Sequence, residues 1–271
     1  MGVLTIVGIG AAALLLALLV ARARFGAFVA GFEAKLGRTR PVPVTDRLPP
    51  RVREFAQRCD ASADDIAARV HLTQLAELQR EPGGPWYWLE ARQTIATGEP
   101  GFVWEGWRPF CGTTKVRVVD SFVNGAGRLR VQILGLVRII EAKGADVDRG
   151  EAMRYLAELP WAPDAILGNP SVSWRMEDED HAVATLEAAG GPVSVRFRFD
   201  GAGDIVEFFA KDRPKLQPGG GVVLCDWRGY FRNYRMIGTR RIPSEGEVGY
   251  VEGGVYDAYF QGRVTSYEID H

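Results

Sequence analysis

The chain has 271 residues, 46% of them hydrophobic and 25% charged, and its 33 basic side chains against 34 acidic ones leave a formal net charge of −1. That balance suits a globular protein and argues against a bulk nucleic-acid binder, which would be strongly basic. The length admits one large domain or two small ones, and 32 glycines with 15 prolines between short apolar runs favour many strands joined by tight turns.

Val3 to Ala21 carries no charge, and Thr5 is its one polar residue. Such a run forms roughly 28 Å of helix, close to the ~30 Å thickness of a bilayer's hydrocarbon. The segment imitates a dinucleotide fingerprint through Gly8, Gly10 and Ala13, with Glu33 near the acidic position. A Rossmann helix keeps one wet face, however, and Ala11 to Ala21 has none. A cleaved signal peptide is the remaining rival, since Ala21-Arg22-Ala23 resembles a processing site, although no basic residue precedes the apolar run. An anchor through residues 3–21 is the preferred reading, with the membrane as partner. Arg22, Arg24, Lys35, Arg38 and Arg40 all follow the run, so the positive-inside rule puts the rest of the chain on the cytoplasmic side, with this basic cluster against anionic headgroups.

Phe25, Phe28, Val29, Phe32 and Leu36 make a helical apolar stripe that either continues the anchor helix or lies along the membrane. Pro41, Pro43, Pro49 and Pro50 then mark a linker, and a short helix is expected over Arg51 to Arg58. The organisation expected is an anchor over 1–24, an amphipathic segment and linker over 25–43, and a single β-rich domain over 44–271.

Beyond Ala63 the period becomes two, as in Lys115-Val-Arg-Val-Val, Arg128-Leu-Arg-Val-Gln-Ile and Val193-Ser-Val-Arg-Phe-Arg-Phe. Roughly ten strands separated by glycine turns are expected on this pattern, forming a sheet with one apolar and one solvated face. Arg117, Arg128, Arg130, Arg196 and Arg198 fall on the polar face, read as solvated charges or as a wall for an anionic lipid or polymer. A helical island interrupts the strands. Asp148 and Glu151 have the spacing of a capping box, Met153, Leu156 and Ala157 form the buried stripe, and Arg154 and Glu158 can pair on the exposed side. A second short helix is expected over Pro163 to Leu167. The fold class is therefore mostly β (α+β): an N-terminal transmembrane helix, then a curved antiparallel sheet or half-barrel covered by short helices.

Motifs for catalysis, cofactors or metals are absent. His71, His181 and His271 have neither metal-ligand spacing nor a nucleophile nearby in sequence. The acidic run from Glu177 to Asp180 reads as a solvated turn, and no nucleotide-binding loop or hydrolase signature occurs. Asp120 and Glu158 are a conceivable acid/base pair whose separation sequence does not give. Cys59, Cys111 and Cys225 read as small apolar side chains, a disulfide staying open outside the cytoplasm. Seven tryptophans are more suggestive, because large amphipathic rings line ligand cavities as well as cores.

Three phrases carry a resemblance: Pro100-Gly-Phe-Val-Trp104, the long Gly150-Glu-Ala-Met-Arg-Tyr-Leu-Ala-Glu-Leu-Pro-Trp161, and Arg241-Ile-Pro-Ser-Glu-Gly-Glu-Val248. They resemble an uncharacterised bacterial family of membrane-anchored proteins, over most of Val70 to Ile269. The resemblance implies a strand over Arg69 to Gln79, where Ile66, Val70 and Leu75 leave a helix open on periodicity. The architecture also resembles the half-barrel of the bacterial lipoprotein carriers, which implies an outer compartment and so conflicts with the charge rule. No catalytic residue comes with it.

The leading expectation is a membrane-tethered binding domain for an apolar or lipid-like ligand, without cofactor, metal or nucleic acid. Trp88, Trp104 and Trp161 would line its cavity, with Arg154 holding a headgroup at the mouth and Glu158 beside it. An enzyme using Glu151 or Glu158, and a structural factor whose sheet interior is filled by its own side chains, are the alternatives.

Overall fold

The computed structural model describes residues 2–110, 113–134, 137–217 and 219–271. Helix α1 (Gly2–Glu33) runs without a break through the apolar stretch and the aromatic stripe after it. Leu4 to Val7 is thus helical, and the strand a dinucleotide fold would need there is missing. Part of α1 is long and apolar enough to cross a membrane, as an anchor or a signal sequence would be.

After the proline linker, α2 (Pro50–Arg58) opens on Pro50, where a missing amide costs no intrahelical bond. The strands follow in an unbroken meander: β1 (Arg69–Gln79), β2 (Trp86–Ala96), β3 (Phe102–Phe110), β4 (Thr113–Val123), β5 (Ala126–Ile133) and β6 (Val137–Lys143). Helices α3 (Ala145–Ala157) and α4 (Pro163–Gly168) intervene. The chain then forms β7 (Val172–Met176), β8 (His181–Ala188), β9 (Gly191–Phe199), β10 (Ile205–Leu216), β11 (Val222–Ile237), β12 (Arg240–Glu252) and β13 (Val255–Asp270).

All the strands join one curled antiparallel sheet of 13 strands, in the order β6-β5-β4-β3-β2-β1-β13-β12-β11-β10-β9-β8-β7. The last strand returns to pair with the first, Arg69 opposite Asp270, which places the two halves of the meander side by side. Thirteen strands exceed the ten or so that alternation suggests. The edge strand β6 explains part of the excess: it is exposed along nearly its whole length and so carries no alternating pattern. Over Arg69 to Gln79 the alternation of buried Val70, Leu72, Gln74 and Ala76 settles the ambiguous segment as strand.

Two apolar clusters hold the layers together. The larger fills the concave side, where Leu72, Ile95, Phe197 and Phe208 meet α2, α3 and α4. The smaller lies on the convex side, where Phe25, Val29 and Leu36 cover Ala96, Val103, Val119 and Val123. The aromatic stripe therefore belongs to α1 and is buried on the protein's own sheet. Arginines of the polar face close over it, Arg130 3.8 Å above the Phe28 ring and Arg117 4.6 Å above Phe25. The expected solvated face is thus partly a helix-binding face, because guanidinium groups stack well on aromatic rings.

Cys59 and Cys225 are buried and free, and burial pushes the Cys59 thiol up to about 12. Cys111 lies outside the described residues. The run from Glu177 to Asp180 is an exposed bend in which Asp178 accepts the backbone N–H of His181 at 2.8 Å. Among the described residues no His, Cys, Asp and Glu gather as metal ligands would.

Candidate functional site

The site is built on α3, which lies inside the trough of the sheet and not across its rim. Gly127 lets the helix approach: a Cβ there would meet the Val147 carbonyl oxygen at 2.7 Å, and the Gly127 N–H donates to Asp148 Oδ1 at 2.7 Å. That contact overturns the expected capping box. The helix starts one turn earlier, behind Gly144 at φ 107°, so Asp148 already donates its own N–H to the Gly144 carbonyl and its side chain clamps β5. Walled in on several sides, α3 has no exposed polar face for Arg154 and Glu158. Both point inward, which corrects the second expectation for this helix.

Beside α3 is a cavity of about 450 Å³. Its apolar wall includes Trp104, Trp161, Phe208, Trp227, Phe231 and Phe260. These rings are fixed by their polar edges as well as by packing. Trp104 Nε1–H donates to Gln74 Oε1 at 3.0 Å, and Trp161 Nε1–H donates to the Pro243 carbonyl at 2.9 Å. Trp227 Nε1–H donates to the Tyr259 hydroxyl at 3.0 Å, while the Trp161 and Phe231 rings meet edge to face at 5.4 Å. Gly246 makes room for Trp161, since a Cβ there would stand 2.6 Å from the indole.

The polar wall is a chain of buried charges. Arg154 donates through Nε to Glu158 at 2.8 Å and through Nη1 to Asp120 at 2.5 Å, and its plane lies 4.7 Å from the Phe102 ring. Gln93 Nε2 donates to the other Glu158 oxygen. Arg213 donates to the Tyr250 hydroxyl at 2.8 Å, faces Glu151 at 3.5 Å and stacks 4.4 Å above Trp227.

Burial pushes the Glu151 carboxyl up to about 8, helped by repulsion from Asp120 and opposed by Arg213 and Arg154. Burial also weighs against the Arg154 guanidinium, but the attraction of Glu158, Asp120 and Glu151 outweighs it, so Arg154 holds its proton more firmly than usual. At the cavity wall, Asp120 Oδ1, Glu151 Oε2 and Arg213 Nε are buried without a hydrogen-bond partner in the protein. Unanswered polar atoms at a cavity wall are costly unless something polar meets them, so they point to a site rather than to a core.

Of the residues singled out from sequence, Trp104, Trp161, Arg154 and Glu158 line this cavity together. Trp88 does not. Leu89, Ala91 and Gln93 point inward, so the two-residue period puts Trp88 on the outer face, 44% exposed beneath Arg108. Arg154 is not at the mouth: its side chain is 15% exposed and already held by two carboxylates. Asp120 and Glu158 are brought together, though as the two partners of one guanidinium. The sequence reading missed Arg213 and Trp227. Alternation in β10 breaks between Ala210 and Arg213, where Asp212 sits at φ 54°, and this bulge turns Arg213 into the cavity. An Asp before that arginine was the one faint signal, since Asp tolerates this conformation better than most residues.

The profile of a family of unknown function (DUF6544) matches residues 42–262. The chain belongs to that family. No curated protein matches it. Among solved structures, the DUF6544 chain is similar to a LolA superfamily protein from Nitrosomonas europaea, with 8% identity over 85% of this chain and 94% of that one at a TM-score of 0.43. It is also similar to a DUF1329 family protein from Desulfovibrio piger, with 9% identity over 84% and 94% of the two chains at a TM-score of 0.44. A third is a putative outer membrane lipoprotein-sorting protein domain from Vibrio parahaemolyticus, with 10% identity over 80% and 91% at a TM-score of 0.46. At that distance a shared fold does not settle function.

Proposed function

We propose that this DUF6544 protein is a membrane-tethered binding protein for a lipid-like ligand. The observation that supports it best is the aromatic cavity of about 450 Å³ beneath α3, a volume within the range of small-ligand sites. The apolar part of the ligand lies against Trp104, Trp161, Trp227 and Phe231. Its polar group meets the unanswered atoms of Glu151, Asp120 and Arg213. Both buried arginines already face carboxylates, so a neutral or zwitterionic polar group suits the site better than a simple anion. The apolar part of α1 is the tether, and the basic residues after it favour a cytoplasmic site for the sheet.

Purified full-length protein, examined by native mass spectrometry with organic extraction, tests this. A stoichiometric lipid is the expected result, and replacing Trp161 by Ala should weaken its retention in the folded variant. A clean unliganded mass, with no uptake of added phospholipid or fatty acid, would overturn the proposal. The third expectation, a structural factor without a small ligand, predicts that clean unliganded mass.

Glu151 favours a second reading. A buried carboxyl with a pKa raised to about 8, beside a cavity, is placed to exchange a proton near neutral pH. On that reading the protein is an enzyme acting on a membrane-derived substrate, and Glu151 is its acid or base. Chemical change of the extracted lipid on incubation with wild type, but not with Glu151→Gln, would establish it.

A further inference from the structure

The path of α1 along the sheet sets which end of the protein meets a bilayer. In the turn that ends α1, Leu36 lies against Gly101, and Phe25 lies under Arg117. Leu36 to Phe25 covers roughly 16 Å of helix, and Phe122 to Arg117 roughly 17 Å of strand. Helix and strand run side by side, so a height on one converts to a height on the other. Arg22, the first charged residue of the chain, then falls about 5 Å beyond Phe25. Gly2 to Ala21 continues past it for about 30 Å, the thickness of a bilayer's hydrocarbon. Lys35 and Arg38 lie about 20 Å back from Arg22, too far to touch the headgroups that Arg22 and Arg24 would meet. This revises the expectation that the whole basic cluster sits at the membrane.

At about the height of Arg22 the sheet exposes apolar side chains on both flanks of α1. Arg117 is level with Gln132 on one side and with Trp107 and Glu90 on the other. One step higher, Val116 pairs with Ile133, and Ile133 with Val137, at the tip of the β5–β6 hairpin. Ile133, Leu134 and Val137 are 36%, 40% and 57% exposed. On the opposite flank, Tyr87 and Trp88 are exposed on the β1–β2 hairpin, with Arg108 between their rings at 6.0 and 5.8 Å. Tryptophan and tyrosine beside arginine are the side chains that settle at a bilayer's interfacial layer. At the other end of the same strands, the turns at 97–101 and 124–126 hold no large apolar residue.

We propose that this end of the sheet docks on the lipid surface, with the tips of the β1–β2 and β5–β6 hairpins seated in the interfacial layer on either side of α1. The proposal rests on the tether reading. It gives Trp88 a place outside the cavity, as a membrane contact. It also brings part of the cavity's lining toward the membrane: the exposed tip Arg80 to Pro82 of the same β1–β2 hairpin lines it, next to Leu78 and Leu216. A lipid leaving the bilayer there would pass Leu78, Pro82 and Leu216, among the charged Arg80, Glu81 and Lys215, on its way to Trp104 and Trp161. The competing occupant is a second copy of the chain pairing along the exposed edge strand β6.

The test uses the full chain in vesicles of phosphatidylcholine and phosphatidylglycerol. Photoreactive benzoylphenylalanine is placed at Val137, at Tyr87, or at Ala126 in the turn at the other end, all three being exposed positions. Lipid adducts at 137 and 87, and none at 126, are expected after irradiation. Retention by the vesicles through an alkaline wash without adducts at 137 or 87 overturns the docking while leaving the tether intact. Adducts to a second protein chain at 137 overturn it in favour of the β6 dimer. A chain that washes off the vesicles removes the tether reading and the docking together.

Discussion

Two buried charged clusters share the concave side of one sheet, and they differ in how fully the protein answers them. At α4, Asp164 is wholly buried and accepts from Arg240 Nε and Nη2 at 2.8 Å each, along with the Ala67 N–H at 3.1 Å. Close by, the Tyr155 hydroxyl donates to the Ala96 carbonyl at 3.1 Å and accepts from Asn169 at 2.8 Å. Every group there has its partner. Under α3 the corresponding charges line a cavity, and Asp120, Glu151 and Arg213 each keep an atom that no protein group meets. A bidentate pair without free space locks one arrangement in place. A looser set beside free space can be completed from outside, so it is the second cluster that reads as a site.

The largest effect that tests this contrast comes from the closed cluster. Asp164→Ala leaves Arg240 buried and uncompensated and should cost about 3–5 kcal/mol in chemical denaturation. Lipid content of the remaining folded fraction should not change. A loss of lipid without a loss of stability would erase the distinction between the clusters.

Glu151→Gln comes next, and its sign depends on pH. A folded-state pKa of about 8, above the unfolded value near 4.3, means that the folded protein binds the extra proton. The native state is then favoured fully at low pH, loses ground as pH rises through roughly 4 to 8, and changes no further above that. Gln stays neutral and removes the dependence. The variant should match wild type near pH 5 and exceed it by roughly 2–4 kcal/mol near pH 9, read from denaturant midpoints. Parallel pH profiles for the two proteins would show that Glu151 is ionised throughout.

The smallest effect compares two glycines. A Cβ at Gly150, on the cavity side of α3, would meet nothing closer than 3.8 Å, so Gly150→Ala should stabilise the helix by about 0.5–1 kcal/mol. At Gly168, in α4, a Cβ would meet Pro41 at 2.7 Å and Ile66 at 2.8 Å, so Gly168→Ala should lower the melting temperature instead. Equal shifts in the two variants would mean that the free space beside α3 is not there.

Much of this fold was legible in the residues. Local alternation marks the strands around Val116 and Val193, and Met153, Leu156 and Ala157 mark the buried side of α3. Trp104, Trp161, Arg154 and Glu158 meet at one cavity because inward positions of β3 face the inward positions of α3 and its following turn. Arg213 stayed invisible, since a bulge changes the parity of a strand without changing its composition. Trp88 was misread for the converse reason: parity alone says that it shares a face with Trp86, but not which face is inside. The D-x-x-E spacing at Asp148 misled because Gly144, four residues earlier, had already started the helix.

The sequence by itself determined the apolar helix, the antiparallel strands and the helices placed between them, because those depend on patterns within a few residues. Only the tertiary structure decided which face of the sheet became the interior and that α1's aromatic stripe would close on the other. It alone decided that Arg154 and Glu158 would be buried, that burial would push the Glu151 carboxyl up, and that one charged cluster would be sealed while the other faces a cavity. Each of those outcomes depends on the curl of 13 paired strands, which brings together residues as far apart as Trp104, Asp120, Glu151 and Arg213. No local pattern encodes the distances between them.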